Sequence, residues 1–534
     1  MLIVPGLTIL GHPQIQRVGE RAALFDLLSA PEALLSRGEP WFSAPGTSTL
    51  QPLAVPYLSR RPWLLRSTAA GGVQLVRGDS PMSLAANVAG NVAGNVSGNT
   101  EPVDSEASFS AAEVDRGVVL LLAGHVVLLL HRFRPVFPGS LPRYGLVGLS
   151  DPLLDLCRQI ARVADLDVPV LLRGESGTGK ELVALALHRA SSRRDRPFLA
   201  LNMGALPASL AAAELFGATR GAYTGAEQPR QGYFRRAHGG TLFLDEIGET
   251  PQEVQPLLLR ALESGEVQPL GSEEPARVDV RVLAATDADL EQAVAAGRFR
   301  APLLHRLGGY AIRLPALRER RDDIGRLFFH FLREELAIVG EEHRLAEPGP
   351  NAQPWPPATW IARLAAAPWP GNVRQLRNVA RSLAIDSRAT GEDAAEPRLP
   401  SAIEALLREE RSPLEAESPP GPPAARPAAP APRSAPPPRK VFRSPQDVSE
   451  EELLAALAAN RWQPRAAARQ LGISRPSLYF LLDTFPSTRK AMDLSREEIA
   501  EAGERCGGRL SEMAMLLHVS EAGIRRRMKQ LGLL

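Results

Sequence analysis

Four regimes of apolar and polar positions follow one another along the chain. Up to about residue 140 the apolar residues come in short runs broken by Gly, Pro and Ser, the pattern of strands joined by turns. The most apolar run, VVLLLAGHVVLLL from Val118 to Leu130, is too short to span a bilayer and is cut at Gly124-His125. It predicts two buried strands joined by a turn. From Tyr144 to about residue 390, near-continuous apolar runs alternate with helical patterns. VPVLLR (168–173), PFLALN (197–202), TLFLDE (241–246) and VRVLAAT (280–286) have the composition of buried parallel strands, and the alternation predicts a layered α/β domain. Behind them, DDIGRLFFHFL (322–332) sets Ile324, Leu327, Phe328, Phe331 and Leu332 at helical spacing, which predicts a helical lid from about residue 315.

The third regime is proline. From Ser412 to Pro445 there are 12 prolines in 34 residues, an extended, semi-rigid linker. The fourth holds two similar helical units. LGISRPSLYFLL (471–482) aligns with LHVSEAGIRRRM (517–528), 46 residues later, and the same offset sets Ala468 on Ala514, Leu453 on Ile499 and Leu478 on Ile524. One supersecondary unit is used twice. A tetrapeptide repeat, NVAGNVAGNVSGN (87–99), is too polar and glycine-rich to bury a face and reads as a flexible loop insertion.

Composition narrows the class. A chain of 534 residues, 44% hydrophobic and 23% charged, is expected to hold three or four globular domains. Its net charge of +2 excludes a polycation that coats nucleic acid, so any DNA contact belongs to a local module. Two cysteines, Cys157 and Cys506, stand in unrelated contexts, which fits a reducing cytosol and offers no disulfide framework or cysteine zinc site. The start, MLIVPGLTILGHPQ, lacks the basic region and cleavage site of a signal peptide, so a cytoplasmic location without membrane contact is expected.

The candidate chemistry lies in the α/β region. After VPVLLR comes GESGTGKE: Gly174, Glu175, Ser176, Gly177, Thr178, Gly179, Lys180 and Glu181, with the helical run ELVALALH behind. Such a loop turns backbone N–H groups toward phosphate oxygens, and Lys180 adds a point charge at the β- and γ-phosphates. Glu181 replaces the usual Ser or Thr, so Thr178 or water would have to supply that magnesium contact. Strand TLFLDE delivers Asp245 and Glu246 to its carboxyl end, where α/β sheets bind ligands. Asp245 would hold Mg²⁺, directly or through water, and Glu246 would polarise the attacking water as general base. The bland alternative is an acidic strand-to-helix turn capped by Asp245.

Residues from about 145 to 385 resemble the AAA+ domain of bacterial sigma-54-dependent transcription activators. GESGTGKE, GAYTGA, GGTLFLDE, GRFR…HRL and WPGNVRQL stand in that family's order and spacing. The resemblance implies an ATPase that assembles from dimers into a hexameric ring. It gives the glycine-flanked loop Gly221, Ala222, Tyr223, Thr224, Gly225, Ala226 the role of touching sigma-54 in the polymerase holoenzyme. Tyr replaces the family's Phe there; glycines let the loop change shape, and the ring supplies contact area at low entropy cost. Asn202 matches the asparagine that restrains the catalytic glutamate. Arg300 and Arg306 match the arginines reaching a neighbouring subunit's γ-phosphate, and Arg374 the lid arginine that reads the nucleotide. Two departures bear on rate. Asp287 stands at the sensor asparagine position and adds repulsion near the γ-phosphate, and FRAPL replaces FRxDL.

The ends are read through the same resemblance. Residues 446–486 and 487–534 each resemble a Fis-type helix-turn-helix. Arg475, Ser477 and Tyr479 of the first, and Arg525, Arg526 and Lys529 of the second, would face double-stranded DNA upstream of promoters. Alternatively, one unit is a dimerisation hairpin. Residues 1–140 resemble a degenerate forkhead-associated (FHA) β-sandwich. Arg21, Ser59 and Arg60 would be its phosphothreonine contacts, although Pro62 stands where that family has histidine. A sandwich that only docks on the ring is the other reading.

The expected architecture is therefore a multidomain chain. An FHA-like β-sandwich (1–140) precedes an α/β AAA+ P-loop ATPase with helical lid (144–390). A Pro/Ala-rich linker (391–445) and two all-α helix-turn-helix units follow. The expected activity is ATP hydrolysis, with ATP and Mg²⁺, coupled to remodelling of sigma-54 RNA polymerase. The rivals are a DNA-binding regulator that has lost remodelling, and a chelatase-like AAA+ remodeller of other targets.

Overall fold

The structure is a computed structural model. It describes residues 2–386 apart from 30–31, 45–46, 48, 89–99, 136–141, 223–227 and 348–353, and then 448–460, 494–506 and scattered positions to 528. The repeat at 89–99 and the linker fall outside the described residues. The chain divides into two units, Met1–Ala416 and Glu417–Leu534. Among the described residues no helix is long and apolar enough to cross a membrane.

Twelve strands build the amino-terminal sandwich: β1 (Val4–Gly11), β2 (Arg21–Ala23), β3 (Glu32–Leu35), β4 (Phe42–Ser43), β5 (Leu50–Gln51), β6 (Trp63–Ser67), β7 (Val73–Val76), β8 (Leu84–Val88), β9 (Glu101–Pro102), β10 (Glu106–Phe109), β11 (Val118–Leu122) and β12 (Val126–Phe133). One sheet runs β5-β4-β2-β1-β12-β11-β8-β9 and the other β10-β7-β6-β3. The run Val118–Leu130 becomes the antiparallel β11–β12 pair, turned through Ala123 and Gly124, both at positive φ.

That run is apolar at every position because both of its faces are covered. Val118, Leu120, Leu122, Val126, Leu128 and Leu130 face the sandwich interior with Leu7, Ile9, Trp63 and Leu75. Val119, Leu121, Val127 and Leu129, with Leu10 of β1, face outward and share a second core with Phe328, Ile361, Trp360 and Trp369 of the lid. A sheet with one wet face would alternate; this one does not. Gly325 opens the contact: a Cβ there would stand 2.2 Å from Leu10 O.

The ATPase core is a parallel sheet ordered β14-β15-β18-β13-β19, from β13 (Val170–Arg173), β14 (Phe198–Asn202), β15 (Thr241–Asp245), β18 (Arg281–Thr286) and β19 (Tyr310–Arg313). A small hairpin, β16 (Glu266–Val267) with β17 (Ala276–Arg277), is inserted before β18. The lid follows as helices Ile324–Val339, Ala358–Ala366 and Asn372–Asp386. Ile324, Leu327, Phe328 and Leu332 are buried on the first of these, as their spacing predicts.

In the carboxyl-terminal unit, helix Glu450–Ala459 packs into a core with Ala467, Ile473, Leu478 and Leu481. Helices Arg496–Arg505 and Leu510–Leu517 pack into another with Val519 and Ile524.

Candidate functional site

Parallel pairing brings the candidate residues to one edge of the sheet. Arg173 pairs with Thr286 and Asn202 with Asp245, so strands β13, β18, β15 and β14 end side by side. Their carboxyl ends carry Gly174, Asp287, Asp245–Glu246 and Asn202 in that order, where such sheets bind ligands. The loop after β13 turns through Gly177 (φ +77°) and Gly179 (φ +100°), conformations glycine adopts without strain. Gly179 is the N-cap of helix Lys180–Arg189. The amino end of that helix and the loop N–H groups form an anion site. Lys180 Nζ donates to Gly174 O at 2.7 Å and Glu175 O at 3.3 Å. Thr178, 7% exposed, donates its hydroxyl to Glu175 O at 2.7 Å. Glu181 is exposed.

Asp245 Oδ1 accepts from Glu246 N at 3.0 Å, and among the described residues Oδ2 has no protein donor. Glu246 itself sits at φ +53°, ψ +47°, a left-handed position that costs a non-glycine residue about 1–3 kcal/mol. Its carboxylate lies against Gly204: a Cβ there would meet Glu246 Oε2 at 2.3 Å and Asn202 Oδ1 at 3.4 Å. Asn202 Oδ1 accepts from Ala205 N at 3.1 Å. Asn202 and Glu246 are thus neighbours around Gly204, without a hydrogen bond between them among the described residues. Asp287 is exposed at the end of β18.

The lid reaches the phosphate loop through Arg318 and through Asn372 and Arg374 of WPGNVRQL. Arg318 donates two bonds to the carboxylate of Glu175, at 2.7 and 2.5 Å. Asn372 is fully buried; its Nδ2 donates to Glu175 Oε2 and Ser176 O, both at 3.1 Å, and its Oδ1 accepts from Leu317 N at 2.8 Å. Arg318 first, and Asn372 with it, hold the Glu175 carboxyl down at about 2 against desolvation. Arg374 Nη1 donates to Ser176 Oγ at 3.1 Å and its amide to Gly177 O at 3.3 Å. Beside the loop, Leu146, Val147, Leu182, Leu314, Phe331 and Val373 line an apolar cavity of about 120 Å³, sized for the face of a flat base. No spacing rule singles these residues out, because they come from five separate stretches.

The stems of the glycine-flanked loop are pinned. Ala218 and Arg230 exchange backbone bonds of 3.0 and 2.8 Å, Arg230 pairs with Glu214, and Phe216 stacks on Phe234 at 5.6 Å. Leu270, in the loop of the β16–β17 hairpin, bonds to Gly217 and Thr219, both at 2.9 Å. Gly221 (φ +80°) and Ala222 follow; Tyr223, Thr224, Gly225 and Ala226 lie outside the described residues.

Arg300 and Arg306 are exposed on or beside helix Ala301–Leu307. Arg306 donates to Leu262 O at 3.0 and 2.8 Å, and neither arginine bonds to the phosphate loop of its own chain. Arg525 is exposed, while Arg475, Ser477, Tyr479, Arg526 and Lys529 lie outside the described residues.

Arg21 departs from its expected role. It is 4% exposed, pairs with Asp322 and donates to Leu149 O at 2.9 Å, with Phe133 beneath its guanidinium at 5.0 Å. It fastens the sandwich to the ATPase and cannot meet a phosphopeptide together with exposed Arg60. Ser59 Oγ accepts from Arg61 N at 2.9 Å, a local turn contact. Asp323 completes the junction, accepting from Ser150 N at 2.9 Å and Ser150 Oγ at 2.6 Å.

Comparison with known proteins agrees with this geometry. The sigma-54 interaction domain matches residues 146–313, the AAA+ ATPase lid domain 318–414, and the bacterial regulatory protein, Fis family, 444–480. The chain is 46% identical over 278 residues to the DNA-binding transcriptional regulator NtrC of Escherichia coli (strain K12), covering 52% of this chain and 57% of that one. It is 42% identical over 340 residues to the transcriptional regulatory protein ZraR of Salmonella typhi, covering 64% and 68%. The anaerobic nitric oxide reductase transcription regulator NorR of Klebsiella pneumoniae (strain 342) is 44% identical over 298 residues, 53% of this chain and 55% of that one. The chain therefore belongs to the family of AAA+ transcription regulators that carry a sigma-54 interaction domain. It spans a little over half the length of NtrC.

Proposed function

We propose that this chain is an ATP-hydrolysing activator that remodels sigma-54 RNA polymerase while bound to DNA upstream of a promoter. One placement supports the reading most: Lys180, Asp245 and Glu246 stand at the carboxyl edge of a single parallel sheet, inside the stretch that matches the sigma-54 interaction domain. Bound ATP would supply the phosphoanhydride whose cleavage drives the work. The loop amides and Lys180 would hold its phosphates, and the apolar cavity beside Leu182 and Phe331 its base. Asp245 would hold Mg²⁺, which would supply charge stabilisation at the phosphates. Glu246 would take a proton from water. Exposed Arg300 and Arg306 would reach a neighbour's nucleotide in a hexameric ring, a contribution of roughly 10³–10⁵ in rate for such fingers. Arg374 and Asn372 would report nucleotide state to the lid, and Tyr223 would carry the movement to sigma-54.

Transcription in vitro from a sigma-54 promoter tests this. Intact protein is expected to give ATP-dependent open complexes. Tyr223→Ala should hydrolyse ATP without opening the promoter, and Glu246→Gln should do neither. Hydrolysis by the intact chain without open complexes would overturn the reading.

A further inference from the structure

The Fis-type module is matched over residues 444–480, and the sequence continues beyond it. We infer that residues 494–528 form a second helix-turn-helix that reads its own block of duplex DNA, so that one chain recognises two successive blocks. The inference rests on the DNA-binding part of the reading above.

The two cores correspond at seven positions. At an offset of 46 residues, Val448 becomes Leu494, Leu453 Ile499, Ala456 Ala502, Ala468 Ala514, Leu471 Leu517, Ile473 Val519 and Leu478 Ile524. The helix starts correspond too. Glu452 N donates to Ser449 Oγ at 3.2 Å, and Glu498 N to Ser495 Oγ at 3.1 Å, with Ser495 N donating back to Glu498. So does the entry to the turn: Ile473 N bonds Ala468 O at 3.1 Å, and Val519 N bonds Ala514 O at 3.2 Å.

At one pair of packed positions the cores differ together. Leu457 and Ala467 of the first are replaced by Gly503 and Met513. Met513 Cε lies 3.9 Å from where a Cβ on Gly503 would stand, so a large–small pair has become a small–large pair around one volume. Drift in a spare segment changes such positions one at a time and leaves a cavity; a matched exchange keeps a packed fold.

Charge selects the partner. Acids gather on the first helices, at Glu450, Glu451 and Glu452, and at Glu497, Glu498 and Glu501. After Glu521 the chain carries Arg525, Arg526, Arg527 and Lys529 and no acid. Arg527 is spent on structure, its Nε donating to Leu494 O at 3.0 Å, which holds the end of the module against its start. Arg525 is exposed, at the offset position of Tyr479. An exposed arginine at this position can pair with O6 and N7 of guanine in the major groove. A dimerisation hairpin would need an apolar outer face instead, and Leu516 is the only exposed large hydrophobic residue described in this unit.

The test selects bound duplexes from a random library with the full chain. Two sequence blocks at a fixed spacing are expected. Arg525→Ala should relax one block and weaken binding to the selected duplex about tenfold or more, and Arg475→Ala should relax the other. Circular dichroism of Arg525→Ala should match the parent. A single block, unchanged by Arg525→Ala together with Lys529→Ala, would overturn the inference alone. So would an Arg525→Ala chain of altered oligomeric mass and unaltered sequence preference. Failure of the intact chain to select any sequence would remove the DNA-bound reading with it.

Discussion

Asn372 of the lid donates to Glu175 of the phosphate loop at 3.1 Å, and the same side chain accepts from Leu317 N, the residue that opens the lid. One amide therefore ties the phosphate loop, the segment at Leu317 and the lid helix Asn372–Asp386 together. Its φ of +51° places it in the left-handed region, which asparagine tolerates better than alanine. Asn372→Ala is expected to lower stability by about 1–3 kcal/mol, through a buried amide left without an acceptor, and to raise KM for ATP. Asn372→Gly relieves the backbone but not the amide. It should recover part of the melting temperature and none of the affinity.

Glu246→Gln keeps the side chain's size and removes its basicity. ATP hydrolysis should fall by about 10²–10⁴ while nucleotide binding by equilibrium titration persists. Binding and hydrolysis lost in parallel would point to a structural role for the strained turn at Glu246.

Asp287 is exposed beside the phosphate loop, with Gly174 N bonded to Thr286 O next to it at 3.2 Å. Asp287→Asn removes a negative charge near the γ-phosphate. Its kcat should rise severalfold at low salt and less at high salt, since exposed charges are screened. An unchanged kcat at both salts would show that Asp287 does not sense the phosphates.

The sandwich–lid junction has little slack. Gly325→Ala places a methyl 2.2 Å from Leu10 O, and a loss of about 1–3 kcal/mol is expected, read as a lower melting temperature with faster proteolysis near the junction. Arg21→Ala leaves Asp322 buried without its partner and should cost about 3–5 kcal/mol.

Acid should weaken the sandwich first. Burial holds the His131 imidazole down at about 3 and His12 at about 4. Both are neutral in the folded chain, so their contribution is full above the ordinary histidine value near 6.5. It is lost as pH falls below that, at about 1.4 kcal/mol per pH unit for each. His131→Asn, which can keep a bond to Thr8 Oγ1, should show a shallower decline in melting temperature between pH 6.5 and 4 than the parent.

Local chemistry was legible in the sequence wherever a strand ends in a short motif. GESGTGKE and TLFLDE predict a loop and an acidic strand end, and parallel pairing needs nothing further to align them. The apolar run at Val118–Leu130 shows that both faces of the hairpin are buried, but not that the far face meets Phe328 and Ile361 of the lid. That contact joins segments separated by the whole ATPase sheet, and no period encodes it. Arg21 illustrates the same gap: a basic residue in RVGER reads equally as a ligand or as half of an ion pair until Asp322 is seen beside it. WPGNVRQL contains Asn372 but does not show its partners, because Glu175 and Leu317 are contributed by two other segments.

On the proposed reading, the shared core under Leu10 and Gly325 would carry the sandwich along with any lid movement that nucleotide binding drives. Linkage then runs both ways: any molecule that grips the sandwich more tightly at one angle must shift nucleotide affinity by the same factor. Two domains built on one slab of hydrocarbon need no signalling helix between them.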